Sequence, residues 1–170
     1  MDYYESEKAY RDYIYDHIDN VIEMYDKLIV PLKDIDNSLE LPILDLAKII
    51  HRHDESKFSK AEFEPYREYY YPTDKEKKKV KDDTPFEIAW RHHYEHNPHH
   101  PNYWKGRDMS KVFILEMLCD WFAMSKHYGT DCREWWENDA KDERLAMTDN
   151  TIKEVNYLLN LIYTKILKAE

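Results

Sequence analysis

Glycine is nearly missing: Gly106 and Gly129 are the only two in 170 residues. Hairpins and tight turns draw on glycine for their positive φ angles, so this composition argues against a sheet-rich fold. Two distant glycines also cannot build a phosphate-cradling loop or a dinucleotide fingerprint. Cysteine is equally scarce; Cys119 and Cys132 are too few for a disulfide framework. Cys119 lies in an apolar run and reads as a small core residue. No apolar stretch is long enough to span a bilayer. The opening MDYYESEKAY lacks the basic flank and apolar core of a signal peptide, so a reducing, cytoplasmic setting is the expectation. Positive charge is short as well. The formal charge of −10 argues against a long nucleic-acid partner. The one basic run, Lys75 to Lys81, reads as a solvated loop, with a mobile lid that attracts an anionic substrate as the alternative.

What remains is a chain of one-domain size, rich in tyrosine (15) and histidine (9), with apolar residues at helical spacing. Tyr10, Ile14, His17, Ile18, Val21, Tyr25 and Leu28 make one stripe of a helix expected over Asp2 to Val30, ended by Pro31. A second helix is expected over Pro42 to Asp54. A third starts at Ser59, with Ser59 and Glu62 as a capping box, and runs to Tyr71. A fourth opens on Thr84, Pro85 and Glu87, another capping box, and runs to His96. Asn97 to Arg107 is a loop, followed by a helix over Met109 to Tyr128 with Gly129 as a left-handed cap. A short helix covers Arg133 to Asn138 and the last spans Asp149 to Leu167. The expected fold is a single all-α domain, with no repeat or linker.

Four places carry chemistry. Five histidines fall within His92 to His100, against an apolar helical face that includes Phe86, Ile88, Ala89 and Trp90. Neutral imidazole is the commonest protein ligand for metals, so the cluster is either a site or an idle surface group. His53 and Asp54 close an apolar stripe. Helical neighbours diverge by about 100°, so both reach one ion only from a helix end or a bent turn. His17 sits on the inward face of the first helix, either hydrogen-bonded in the core or facing an ion. Finally, VFILEMLCDWFAMS, from Val112 to Ser125, has only Glu116 and Asp120 as charges, four apart on one face. Two like charges in a buried helix need hydrogen-bond partners, protons or a cation. Asp120 is then a candidate ligand, and Glu116 a supporting partner, a second-metal ligand or a proton carrier. Mixed histidine and carboxylate donors suit manganese, iron, zinc, cobalt or nickel.

The order His17, His53-Asp54, histidines, Asp120 resembles the metal-dependent phosphohydrolase superfamily named for its His-Asp doublet, the HD domain. The match extends to Lys57 in HDESK, because many members carry lysine three positions after the aspartate. HDESKFSKAEFEPY, AWRHHYEHNPHHPNYW and EMLCDWFAM resemble a narrower, functionally unassigned family of bacteria and their phages, over roughly residues 10 to 130. The resemblance implies an HD-like helical bundle with a C-terminal helix packed on it. It implies one ion held by His17, His53, Asp54 and Asp120. It also implies a second ion, held by His93 and one of His99 or His100. His93 is preferred to His92 because the narrower family places histidine four positions before the asparagine, here Asn97.

The activity expected on these grounds is hydrolysis of a nucleotide or related small phosphate ester by a metal-activated water. Lys57 would offset phosphate charge, with Arg52 a weaker candidate, and Glu116 or Glu55 would relay a proton. Two alternatives stand beside it: a di-iron oxygenase of the same superfamily, and a metal-stabilised protein that sequesters a nucleotide without turnover. In the latter Trp104, Trp135, Trp136 and tyrosines would stack on the base.

Overall fold

A computed structural model describes residues 1–169. Among these residues there is no strand. The described residues form eight α-helices joined by short 3-10 and π turns, so the all-α class holds. The first helix, α1 (Tyr3–Met24), starts at Asp2, which accepts from the Glu5 amide while Glu5 accepts from the Asp2 amide. Its buried face is Ser6, Tyr10, Ile14, His17, Val21 and Met24, recurring every three or four residues. The chain does not stop at Pro31. It loosens into a π turn over Tyr25–Ile29 and tightens into a 3-10 turn over Val30–Asp34. These turns accommodate a residue with no amide hydrogen.

The second helix is shorter than its sequence stripe suggests: α2 is Glu40–Ala47. A 3-10 turn over Ile50–Arg52 follows. Then α3 (Phe63–Tyr70) begins four residues later than expected, because Glu62 does not cap it. Ser59 Oγ is buried without a hydrogen-bond partner among the described residues, and Glu62 is engaged elsewhere. The fourth helix, α4 (Thr84–His96), has the expected bounds, yet its start carries no side-chain cap. The basic run is tied to the surface: Glu76 pairs with Arg67, and Lys77, Lys79 and Lys81 pair with Asp74, Glu68 and Asp83.

The most apolar helix, α5 (Lys111–Tyr128), packs against α1 and α2 and buries ten of its residues. It ends at Gly129, at φ 68°. After it come α6 (Cys132–Asn138) and α7 (Lys141–Ala146), the latter unforeseen, and α8 (Asp149–Leu161), continued by a π turn. Val155, Leu158, Leu159 and Ile162 pack α8 and its continuation onto the main core. Cys119 and Cys132 are both buried and free.

The apolar interior is in two parts. The larger joins α2, α5, α6, α8 and the second half of α1. The smaller gathers Tyr10, Ile14, Phe63, Tyr66 and Ala89 from α1, α3 and α4. His17 lies on α1 between Ile14 of one and Val21 of the other, so the polar site fills the seam between two hydrophobic clusters.

An alanine at Gly129 meets no atom within 4 Å, so its penalty is confined to the left-handed backbone. Gly129→Ala is expected to lose about 1 kcal/mol in urea unfolding, with ligand binding unchanged. An unshifted midpoint would show that the helix ends by another device.

Candidate metal centre

The centre is built around a bend. His53 leaves the 3-10 turn in an extended conformation (ψ 132°), and Asp54 follows at φ 57°, in the left-handed region. Aspartate tolerates that region better than most residues, but a non-glycine there stores strain. The bend turns two sequence neighbours toward one point, as no straight helix can.

Asp54 stands at the middle. Its Oδ2 lies 2.6 Å from Lys57 Nζ and 3.5 Å from His17 Nε2. Its Oδ1 lies 3.2 Å from His93 Nε2, 3.4 Å from His99 Nε2 and 3.7 Å from His53 Nε2. From α5, Asp120 Oδ1 comes within 3.2 Å of His17 Nε2 and 3.9 Å of His53 Nε2. Three groups of donor atoms result, two of which include an aspartate. Those of His17, His53 and Asp120 lie within 4.8 Å of one another, and so do those of Asp54, His93, His99 and His100. Asp54 also borders the first group, and each group can hold a metal ion.

Two carboxylates behind the imidazoles aim them. Glu116 accepts from His53 Nδ1 at 3.0 Å and lies 3.6 Å from His99 Nδ1. Glu62 is completely buried and accepts from His93 Nδ1 at 2.9 Å, His92 Nδ1 at 2.7 Å and Ser56 Oγ at 2.9 Å. Asn97 in turn donates to Ser56 Oγ at 2.8 Å. A proton held on Nδ1 leaves the Nε2 lone pair free to face Asp54, as a metal ligand requires. The group of His53, His99 and Glu116 is therefore the back of the centre. Glu116 orients ligands there and does not reach the cavity as a proton carrier would.

The decisive feature is what these atoms lack. His53 Nε2, Asp54 Oδ1, His99 Nε2 and His100 Nε2 are buried with no hydrogen-bond partner among the described residues. Buried polar atoms are rarely left so, and four at one place are suited to a cation. The electrostatics agree. Asp54, Asp120, Glu62 and Glu116 are buried or nearly so around one ammonium, that of Lys57. Burial opposes the charge of Asp54, but Lys57, His53 and His93 hold its carboxyl well below the usual range. Burial likewise opposes the charge of Asp120, and His17 outweighs it. Burial also resists protonation of His53, yet Asp54, Glu116 and Asp120 raise it to about 9. Burial depresses His99 and, further, His100, which stay neutral.

The centre forms the floor of a cavity of about 540 Å³ with Tyr13, Tyr66, Tyr94, Trp90 and Trp135 among its walls. Tyr94 stacks on His100 at 4.0 Å between ring centroids. Lys57 also lines the cavity. Other sequence candidates lie elsewhere. Arg52 and Glu55 pair with each other on the surface, because the turn that brings His53 inward directs them to solvent. His96 is exposed and donates to the His92 carbonyl. Trp136 is in the main core, Trp104 packs at its edge, and only Trp135 of the three reaches the cavity. No residue of the basic run lines it, so the run is no lid here. Sequence reasoning missed Glu62, seen only as a capping residue, together with Ser56 and Asn97. It chose between His99 and His100, whereas the loop brings both inward.

Fold and site together define an α-helical bundle with a buried histidine–carboxylate centre able to hold a metal ion. Residues 6–161 match the model described as "Family of unknown function (DUF5662)", and the chain belongs to that family. No curated protein and no solved structure matches it. Among the described residues, no helix is long and apolar enough to cross a membrane.

Two outcomes are expected. Glu116→Gln keeps the shape but weakens the hold on His53, so metal affinity should fall about 10- to 100-fold. Equilibrium dialysis reads this, and parental affinity would make Glu116 a bystander. The second concerns pH. A histidine with a raised folded pKa stabilises the chelated protein fully below its unfolded value of 6.5, and this is lost as pH rises through about 9. A metal needs His53 neutral, so the rise in Tm on adding Mn(II) should grow across the same window. A gain that shrinks with pH would remove His53 from the ligands.

Proposed function

We propose that this chain is a metal-dependent phosphohydrolase of the His-Asp type, acting on a nucleotide or related small phosphate ester. The observation that carries the reading is the set of unpartnered buried donors converging beside Lys57 on the floor of an aromatic cavity. His17, His53, Asp54 and Asp120 would hold one ion, and Asp54, His93, His99 and His100 a second, with Asp54 between them. Five imidazoles with two carboxylates suit manganese, iron, cobalt, nickel or zinc. A bound ion of this kind supplies Lewis acidity, lowering the pKa of a water and polarising a phosphoryl oxygen.

The protein's own contribution is placement. The Lys57 ammonium is fixed by Asp54 Oδ2 and stays protonated: burial opposes its charge, but the Asp54 carboxylate outweighs that. It is a point cation at the cavity floor, suited to a phosphate oxygen. Glu116 and Glu62 keep the imidazoles from turning. The tyrosines and tryptophans exclude bulk water from the floor, which strengthens each charge interaction there.

The group of His93, His99 and His100 is nitrogen-rich, which also suits iron and so an oxygenase of the same type. Metal analysis of protein purified without chelator, followed by a nucleotide panel run with and without oxygen, separates the two. Phosphate release without oxygen supports hydrolysis, while turnover only with iron and oxygen overturns it.

Lys57→Met is expected to keep its metal and to lower kcat/KM for a phosphate ester about 10- to 100-fold, the worth of one charged hydrogen bond. Asp54→Ala should lose both metal and activity. Full activity in Lys57→Met on every ester the parent cleaves would leave the phosphate half of the reading without support.

A further inference from the structure

The cavity has more to say about what enters it. Tyr10 is completely buried, lines the cavity, and its hydroxyl has no hydrogen-bond partner among the described residues. It lies within electrostatic reach of Lys57 and Asp54, and burial raises its pKa, so it remains a donor. Glu143 of α7 lines the same cavity; burial raises its pKa, although its carboxylate accepts from its own backbone amide and is attracted by Arg144. The helix that carries it packs on the 3-10 turn over Pro101–Trp104, directly after His99 and His100, and Glu143 lies near enough to Tyr94 to influence its ionisation. A half-buried carboxylate with acceptor capacity left over repels anions and invites N–H or O–H donors. Much of the remaining lining is aromatic.

The inventory of charge is equally telling. Lys57 is the one lysine or arginine lining the cavity among the described residues, and it is already engaged by Asp54. A di- or triphosphate would bring further anionic charge to a floor where, beyond the proposed ions, Lys57 is the one ammonium, and Glu143 would repel it. One phosphate at the floor is what the lining can match.

We propose that the cavity is a bipolar site for a nucleoside monophosphate. Tyr10 Oη and Lys57 Nζ donate to its single phosphate, the aromatic walls take the base, and Glu143 accepts from an N–H or O–H of the nucleoside. The assignment rests on the phosphate-ester reading above, and names its substrate class and two specificity-determining residues.

The test uses binding, kept separate from turnover. Mn(II)-loaded protein is titrated with the four common ribonucleosides, their mono- and triphosphates, and inorganic phosphate, reading tryptophan fluorescence from Trp90, Trp121 and Trp135, which line the cavity. At least one nucleoside should bind. Its monophosphate should bind more tightly, and its triphosphate no more tightly than the monophosphate. Glu143→Gln should weaken nucleoside and monophosphate alike by about tenfold or more, leaving inorganic phosphate and metal content unchanged. Tyr10→Phe should weaken monophosphate and inorganic phosphate but not the nucleoside. It should also leave Tm unchanged or higher, because the lost hydroxyl had no partner. A 2′,3′-dideoxynucleoside that still senses Glu143 places the contact on the base, and one that does not places it on the sugar; either supports the proposal. Binding of no nucleoside, tighter triphosphate than monophosphate, or unchanged affinity in both variants overturns it. Monophosphate binding that depends on both residues but yields no phosphate would instead defeat the hydrolase reading and leave the bipolar site standing.

Discussion

The rest of this structure depends on the burial of four carboxylates in a seam between hydrophobic clusters. An ionised carboxylate placed in such surroundings without partners is expensive, and in most proteins it would be protonated or moved to the surface. Here each is met by imidazoles, and Asp54 also by Lys57. His53 and His93 satisfy Glu116 and Glu62 through their outer nitrogens, while the inner nitrogens of His53, His99 and His100 have no hydrogen-bond partner among the described residues. A cation at the centre would complete the account on both sides. The helices, their unequal lengths and the bend at Asp54 all arrange this one balance.

Much of this was legible in the chain. His17 and Asp120 fall on apolar stripes with helical period, and a polar group on such a stripe is directed inward whatever its purpose. The His53-Asp54 doublet demanded a bend, and the left-handed Asp54 supplies it. The all-α class followed from two glycines and the spacing of leucines, isoleucines and tyrosines.

What was not legible is tertiary. Ser59 and Glu62 have the spacing of a capping box, and local pattern assigns Glu62 to the helix start. His92 and His93, thirty residues on, outbid the backbone amide, since an imidazole N–H to a carboxylate in a dry place is the stronger bond. No local signal encodes that competition. The same holds for Glu143, one acid among many in a polar stretch until α7 folds it over the cavity, and for His100, which follows its neighbour inward because the loop turns between prolines.

The donors are contributed by α1, the bend, α4, the loop after it and α5, so Asp120 lies more than a hundred residues beyond His17. During synthesis a ribosome must therefore deliver most of the first five helices before the last donor of the first group exists. An ion cannot template the early helices as it does in a zinc finger, where the ligands are close in sequence. An ion bound at the centre would arrive late, on a scaffold whose hydrophobic clusters have already begun to condense. Once there it would tie distant stretches of chain together, and its release should be slow. Cells short of the metal would then accumulate a folded but frustrated bundle, its centre held by protons in place of ions.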